Sequence, residues 1–411
     1  MHLKLPASPA AVTIAWLLGG LTAVGSCHRS VDPNGEDTNA GGGDTRSDCC
    51  VDVPRPQDLQ TAYDFQELPV PKLVAVFDRG CPDYHPAPWE VCGPANCFCL
   101  PYDVAVDEAG DVFVAEAVAY RITKLDASGA ILTSWGHGPE WNAQIPCGEV
   151  GSPQAISLGG EGHVSIIEHS AMCVSTFDAL GKLTHSFSVQ EWCGDPVPEN
   201  VVDLCAYDLA VMDNLGVVLS VSPWQIDPFP PAQRLLLVDS DGALVEDWSH
   251  RISADKVGLG SQADWWWPWV ARDMDGFLHV LVLYYHLLSD SATFLDEVLF
   301  LFSPDGEELR KTHVLKFFKG KSDPEFLASP FFGVAGGALR GALIGVTADG
   351  YPYVLLLDQD HTPAAVLGEV AYGPDPNEHF DAARRGRGLA GSVDRFYIAN
   401  PAAQRVFAFD L

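Results

Sequence analysis

Along residues 72–411 the apolar residues fall in short runs broken by Gly, Asp and Pro, with few stretches at the three-to-four spacing of a long amphipathic helix. Residues 101–136, PYDVAVDEAGDVFVAEAVAYRITKLDASGAILTSWG, contain four such runs separated by turn residues, which predicts four antiparallel strands. Residues 153–188, PQAISLGGEGHVSIIEHSAMCVSTFDALGKLTHSFS, repeat the pattern 52 positions later, Gly110 matching Gly162 and Gly129 matching Gly181. A four-strand unit is therefore repeated in register.

The pattern continues with longer connections. Tyr207-Asp208-Leu209-Ala210-Val211 echoes Tyr102-Asp103-Val104-Ala105-Val106, and that third unit ends in LLLVDSDGALVEDW. A fourth runs from Val270 through DMDGFLHVLVL to LFLFSPDGEELRKTHV; a fifth is read as ALIGVTADGYPYVLLL with 364–370 as a poorer third strand. The sixth starts near Gly388, continues through RFYIAN and stops at RVFAFDL, one strand short. Residues 72–78, KLVAVFD, supply the missing strand and are predicted to pair with 405–410, removing the exposed edge. The expected fold is all-β, a six-bladed β-propeller of four-stranded antiparallel blades closed by this N-terminal strand. On these residues the chain resembles the NHL-repeat family, whose blades read roughly as Pro, a small-apolar strand, Asp, Gly, an apolar strand, then Arg-Ile and an Asp-x-x-Gly turn. The likeness spans about 72–411 and is closest in the first three units. Arg121, Arg234 and Arg405 stand at equivalent third-strand starts and are expected to tie each blade to its neighbour.

Successive strands alternate direction, so first-to-second and third-to-fourth turns share one face. Those turns are short: DEAGD, GGEGH, DMDG and TADG of the first kind, DASG, DALG, DSDG and SPDG of the second. DSDG at 239–242 lacks the distal ligands of a calcium loop and reads as a hairpin turn. The extra length, at 137–152, 189–205, 222–233, 250–268, 284–296, 315–339 and 371–387, opens on the opposite face, which is predicted to be the binding side. It carries Trp265, Trp266, Trp267 and Trp269, Trp224 with Phe229, and Tyr284-Tyr285, all candidate ligand contacts or, alternatively, a secondary core. Asp103 and Asp208 match at the channel mouth, where they bond to neighbouring backbone or hold a cation.

Charge narrows the partners. Fifty-five Asp and Glu against 24 Lys and Arg give a net charge of −31, which argues against nucleic acid. Residues 1–26 read as a secretory signal, and Val24-Gly25-Ser26-Cys27 resembles a bacterial lipobox, so Cys27 is expected to carry lipid. Residues 27–71 form a polar tether and 72–411 the propeller. The expected location is the cell envelope, lipid-anchored, at the outer membrane or facing the periplasm. Eleven Cys less the lipidated one leave an even number for disulfides. Cys81, Cys92, Cys97 and Cys99 admit disulfides or a metal site; Cys193 and Cys205 flank the short DPVPEN turn and are predicted to pair.

The predicted function is a binding or scaffold module for a protein, peptide or glycan ligand, with no cofactor. The alternative is a metal-dependent propeller enzyme of lyase or lactonase type, with calcium or zinc at the channel mouth. Of the histidines, His137, His169, His286 and His361 fall on connections able to reach it. No nucleophile elbow, phosphate loop or H-E-x-x-H helix is present in the sequence.

Overall fold

Alternating apolar positions fold as strands in the order they occur. The computed structural model describes residues 72–77, 98–136, 145–168, 171–193, 205–222, 233–263, 265–288, 291–314, 327–335, 341–348, 351–358, 360–367, 388–392, 394–400 and 405–410. The segments expected as signal and tether, with Cys27, lie outside the described residues, as do Cys81, Cys92, Cys97, Trp224, Phe229, His137 and His169. Among the described residues no helix is long and apolar enough to cross a membrane.

After β1 (Lys72–Phe77), the first repeat gives β2 (Pro101–Val106), β3 (Val112–Glu116), β4 (Arg121–Leu125) and β5 (Ile131–Trp135). The second gives β6 (Pro153–Leu158), β7 (Val164–Glu168), β8 (Cys173–Phe177) and β9 (Leu183–Ser188); the third β10 (Ala206–Met212), β11 (Gly216–Val221), β12 (Arg234–Val238) and β13 (Leu244–Asp247). The fourth comprises β14 (Trp265–Arg272), β15 (Leu278–Leu288), β16 (Ser291–Phe302) and β17 (Glu308–His313). Each is one four-stranded antiparallel sheet paired in chain order. The molecule is a β-propeller.

The last two units depart from expectation. The strands β18 (Leu327–Ala335), β19 (Gly341–Ala348), β20 (Tyr351–Leu357), β21 (Pro363–Leu367), β22 (Gly388–Gly391), β23 (Arg395–Asn400) and β24 (Arg405–Asp410) join β1 in a single eight-stranded sheet. There are thus five sheets instead of six separate blades, because β18 and β22 pair in parallel at Phe332↔Gly388, Gly333↔Leu389 and Val334↔Ala390. A second correction concerns register: 327–335, read as connection, is a strand, so TADG joins the second and third strands of its unit instead of the first and second. Residues 284–296 were expected as a connection; Tyr284 and Tyr285 instead extend β15, paired with β16.

Packing lies between sheets. Phe113, Ile122 and Ala115 meet Ile156, Val164 and Phe177 of the next unit, and the same arrangement recurs from second to third and third to fourth. β3 is buried throughout, whereas Ile131 and Leu132 of β5 are exposed, so burial falls from the middle of a blade to its outer edge. First strands neighbour one another around the axis: β2 with β6, β6 with β10, β10 with β14, β14 with β18, β22 with β2. β1 pairs antiparallel with β24, from Lys72↔Asp410 to Phe77↔Val406. Two disulfides join Cys147 to Cys173 and Cys193 to Cys205, the latter as predicted, and Cys99 is also disulfide-bonded.

Candidate functional site

The first strands enclose a cavity of about 450 Å³. Its walls carry Asp103, Gln154, Asp208 and Trp269 and run down to Asp107, Asp213 and Arg272 at the first-to-second turns. The cavity therefore extends toward the face of short turns, whereas the long connections leave from the other end of these strands.

Asp103 and Asp208 sit on equivalent wall positions, as their matching sequences predicted. Each carboxylate accepts two backbone N–H groups, one from its own blade and one from the next: Asp103 from Val104 and Ile156, both at 2.8 Å, and Asp208 from Leu209 at 3.0 Å and Val270 at 2.8 Å. The second blade lacks this Asp, and Ser157 Oγ accepts the Val211 N–H at 3.1 Å. Charge-assisted bonds of this kind hold adjacent first strands together, which is the bonding role foreseen for the pair. At the short-turn end Arg272 reaches over β10, bonding the Leu158 carbonyl at 3.1 Å and pairing with Asp213, whose other oxygen accepts the Gly160 N–H at 2.6 Å.

The aromatic candidates fall into two groups. Trp265, Trp267 and Trp269 share one side of β14, where alternation places every second residue. Trp265 and Trp267 centroids lie 5.5 Å apart, and Trp267 stacks on Trp269 at 5.7 Å with 9° between planes. Tyr207 meets Trp267 at 5.3 Å and Tyr285 meets Trp265 at 5.0 Å. Trp269 is buried; Trp265 and Trp267 are partly exposed. The row therefore leads from the N-terminal end of β14 to the cavity wall. Trp266 packs instead against the buried cluster between third and fourth units, which also holds Tyr284, fully buried with its hydroxyl on the Ile252 carbonyl at 2.6 Å. Burial pushes both Tyr284 and Tyr285 hydroxyls above their ordinary range. None of the four indole N–H groups has a hydrogen-bond acceptor.

Two of the three arginines expected to tie blade to neighbour instead form ion pairs within their own blades, Arg121 with Glu116 at 2.7 Å and Arg234 with Asp247 at 2.8 Å. DSDG is a turn, Asp239 Oδ1 accepting the N–H groups of Asp241 and Ala243. His286 belongs to β15, and His361 is buried at the fourth-to-fifth unit boundary, bonded to Thr312 at 3.0 Å. Among the described residues no three His, Cys, Asp or Glu are grouped to hold a metal ion. Sequence reasoning missed Gln154 and Arg272 as cavity residues, since neither recurs at its repeat position.

No family model and no curated protein matches this chain. Solved propeller structures do. A catalytically inactive virginiamycin B lyase from Staphylococcus aureus with quinupristin has TM-score 0.40 and 11% identity, over 78% of this chain and 98% of its own. A putative gluconolactonase gives 0.41 and 14%, over 80% and 94%. The PQQ-bound aldose sugar dehydrogenase from Streptomyces coelicolor gives 0.42 and 12%, over 84% and 99%. At these identities the likeness concerns architecture and carries nothing about activity.

Proposed function

We propose that the chain is an exported, envelope-anchored NHL-like propeller that binds a protein, peptide or glycan ligand along the aromatic row of β14. The observation that carries this reading is the alignment of Trp265, Trp267 and Trp269 with Tyr207 and Tyr285, running from the end of β14 that follows a long connection to the cavity wall. Flat rings presented in a row offer stacking surfaces to sugar faces and peptide side chains. Asp103 and Asp208 line the cavity that the row reaches, and Trp224, outside the described residues, is kept as a candidate contact.

We further infer that β1 closes the ring as an outer strand beside β24. Supporting it, the third-to-fourth turn glycines of the second, third and fourth units face an aromatic at or just past the end of the preceding outer strand: Gly181 faces Trp135, Gly242 Phe187 and Gly306 Trp248. Gly129 faces Phe77 of β1 in the same way, which supports reading β1 as an outer strand next to the first unit.

The test is capture by the soluble domain, residues 66–411, on peptide and glycan arrays. Trp265→Ala and Trp267→Ala are expected to weaken capture tenfold or more with melting almost unchanged. Capture of nothing by the wild-type domain, or equal capture by the variants, defeats the binding reading; a melting shift with calcium or zinc instead would favour the metal-dependent alternative. Mass spectrometry of the mature protein checks the anchor, with lipid expected on Cys27.

A further inference from the structure

The first two units place a glutamate at the same register position and treat it differently. Glu116 ends β3, fully buried, opposite Arg121 on β4. It receives Arg121 Nε at 2.7 Å and Nη2 at 2.8 Å, Thr123 Oγ1 at 2.5 Å and the Cys99 N–H at 2.9 Å. Glu168 ends β7, equally buried, but opposite it stands Cys173, and Ser175 replaces Thr123. Cys173 is tied to Cys147, so the position that supplies a cation in one blade supplies a disulfide in the next. Glu168 Oε2 accepts the Gly151 N–H at 3.0 Å, and its Oε1 has no partner. Ser175 Oγ holds the same stretch by accepting the Gly148 N–H at 3.1 Å.

We propose that Glu168 is a proton-operated latch for the segment 145–151, which docks on β7 and β8 when the carboxyl is neutral and lifts when it ionises. β6, β7 and β8 bring no other ionisable group against it, Cys173 being oxidised, and the segment brings only Glu149, which is exposed and of like charge. An ionised carboxylate here has neither cation nor full hydrogen bonding, and lifting the segment admits water to it at the cost of exposing Ile145 and Val150. The neutral carboxyl keeps Gly151 as donor and loses far less on desolvation than the anion against the dry wall of Ile145 and Val150. Burial, opposed only in part by Ser175 and the Gly151 and Gly148 amides, pushes the Glu168 carboxyl up to about 7. The Cys147–Cys173 bridge keeps the lifted segment tethered. This segment enters the first strand of its blade from the face of the long connections, and the latch stands whether or not the aromatic row binds a ligand.

Hydrogen exchange by mass spectrometry, corrected for intrinsic rates, tests this on the intact exported chain. The protection of amides in 145–151 should fall tenfold or more between pH 5.5 and 8.5, while the Cys99 amide on Glu116 stays constant. In Glu168→Gln, which is isosteric with the neutral acid, the segment should stay protected at both pH values. Cys147→Ser with Cys173→Arg should recreate the first blade's ion pair and likewise remove the pH step. Constant protection in the wild-type chain, or the same fall in Glu168→Gln, overturns the latch.

Discussion

Buried carboxylates show how much a single partner decides. The Glu116–Arg121 pair is buried, with Arg121 at 17% and Glu116 at 0% side-chain exposure, whereas Arg234 and Asp247 stand at 33% and 41%. Arg121→Ala leaves an unpaired buried charge and should cost about 3 to 5 kcal/mol. Arg234→Ala should cost under about 1 kcal/mol because water screens its pair. Urea melts at pH 7 separate the two. Glu297 is wholly buried, its Oε1 without a partner, and burial, with Asp296 adding to it, pushes its carboxyl up to about 8. Its folded value lies above the unfolded one, so its stabilising effect is fully present below about pH 4.5 and is lost as pH rises through about 8. Glu297→Gln should therefore match the wild type near pH 4.5 and exceed it by a few kcal/mol near pH 9, on the order of one per pH unit traversed; melting temperatures across pH check this. Trp266→Ala, unlike changes at Trp265, should cost about 3 to 5 kcal/mol because the ring fills the inter-blade core.

At the scale of elements, one turn and one strand end form each contact between neighbouring outer regions. An added Cβ at Gly129 would lie 2.4 Å from the Phe77 ring, and the residue has φ +86°. Gly129→Ala and Phe77→Ala should each cost about 2 to 4 kcal/mol, and the double variant distinctly less than their sum, because one contact is lost twice. A double-mutant cycle by denaturant unfolding reads this coupling. The boundary between fourth and fifth units is built otherwise. His361 takes the turn position of Gly129, Gly181, Gly242 and Gly306, with φ +55°, and Thr312 takes the place of the aromatic, bonded to it at 3.0 Å. A polar pair there does what a ring on a glycine does elsewhere.

For the whole molecule the decisive element is β1, whose strand pairs with β24 although some 330 residues separate them. A chain starting at residue 66 should melt like the longer one, while a chain starting at residue 81 should melt at least about 5 °C lower through loss of a strand and its contact with Gly129. Differential scanning calorimetry distinguishes these outcomes. Much of this order was legible in residues. The 52-residue repeat placed Glu116 and Glu168 in one register and located the turn glycines. The strand 327–335 was not legible, since Ser329-Pro330 interrupts LASPFFGVA and the segment lacks a clean alternation. Nor was the course of Tyr284 and Tyr285, because a long hairpin and a loop with aromatic residues look alike until the partner strand is known.

The sequence by itself determined the strands of the first four units, their order within each unit and Cys193–Cys205 as a candidate pair, because these rest on alternation, turn chemistry and short separation, and counting the strands of the last unit offered a candidate for the open edge. Tertiary structure alone decided which glutamate meets an arginine and which meets a disulfide, that β18 and β22 join two units into one sheet, and that the cavity runs toward the short turns. The physical reason is the same in each case. Burial, desolvation and the approach of two backbones depend on neighbours brought from other blades, and no local pattern records how closely they come.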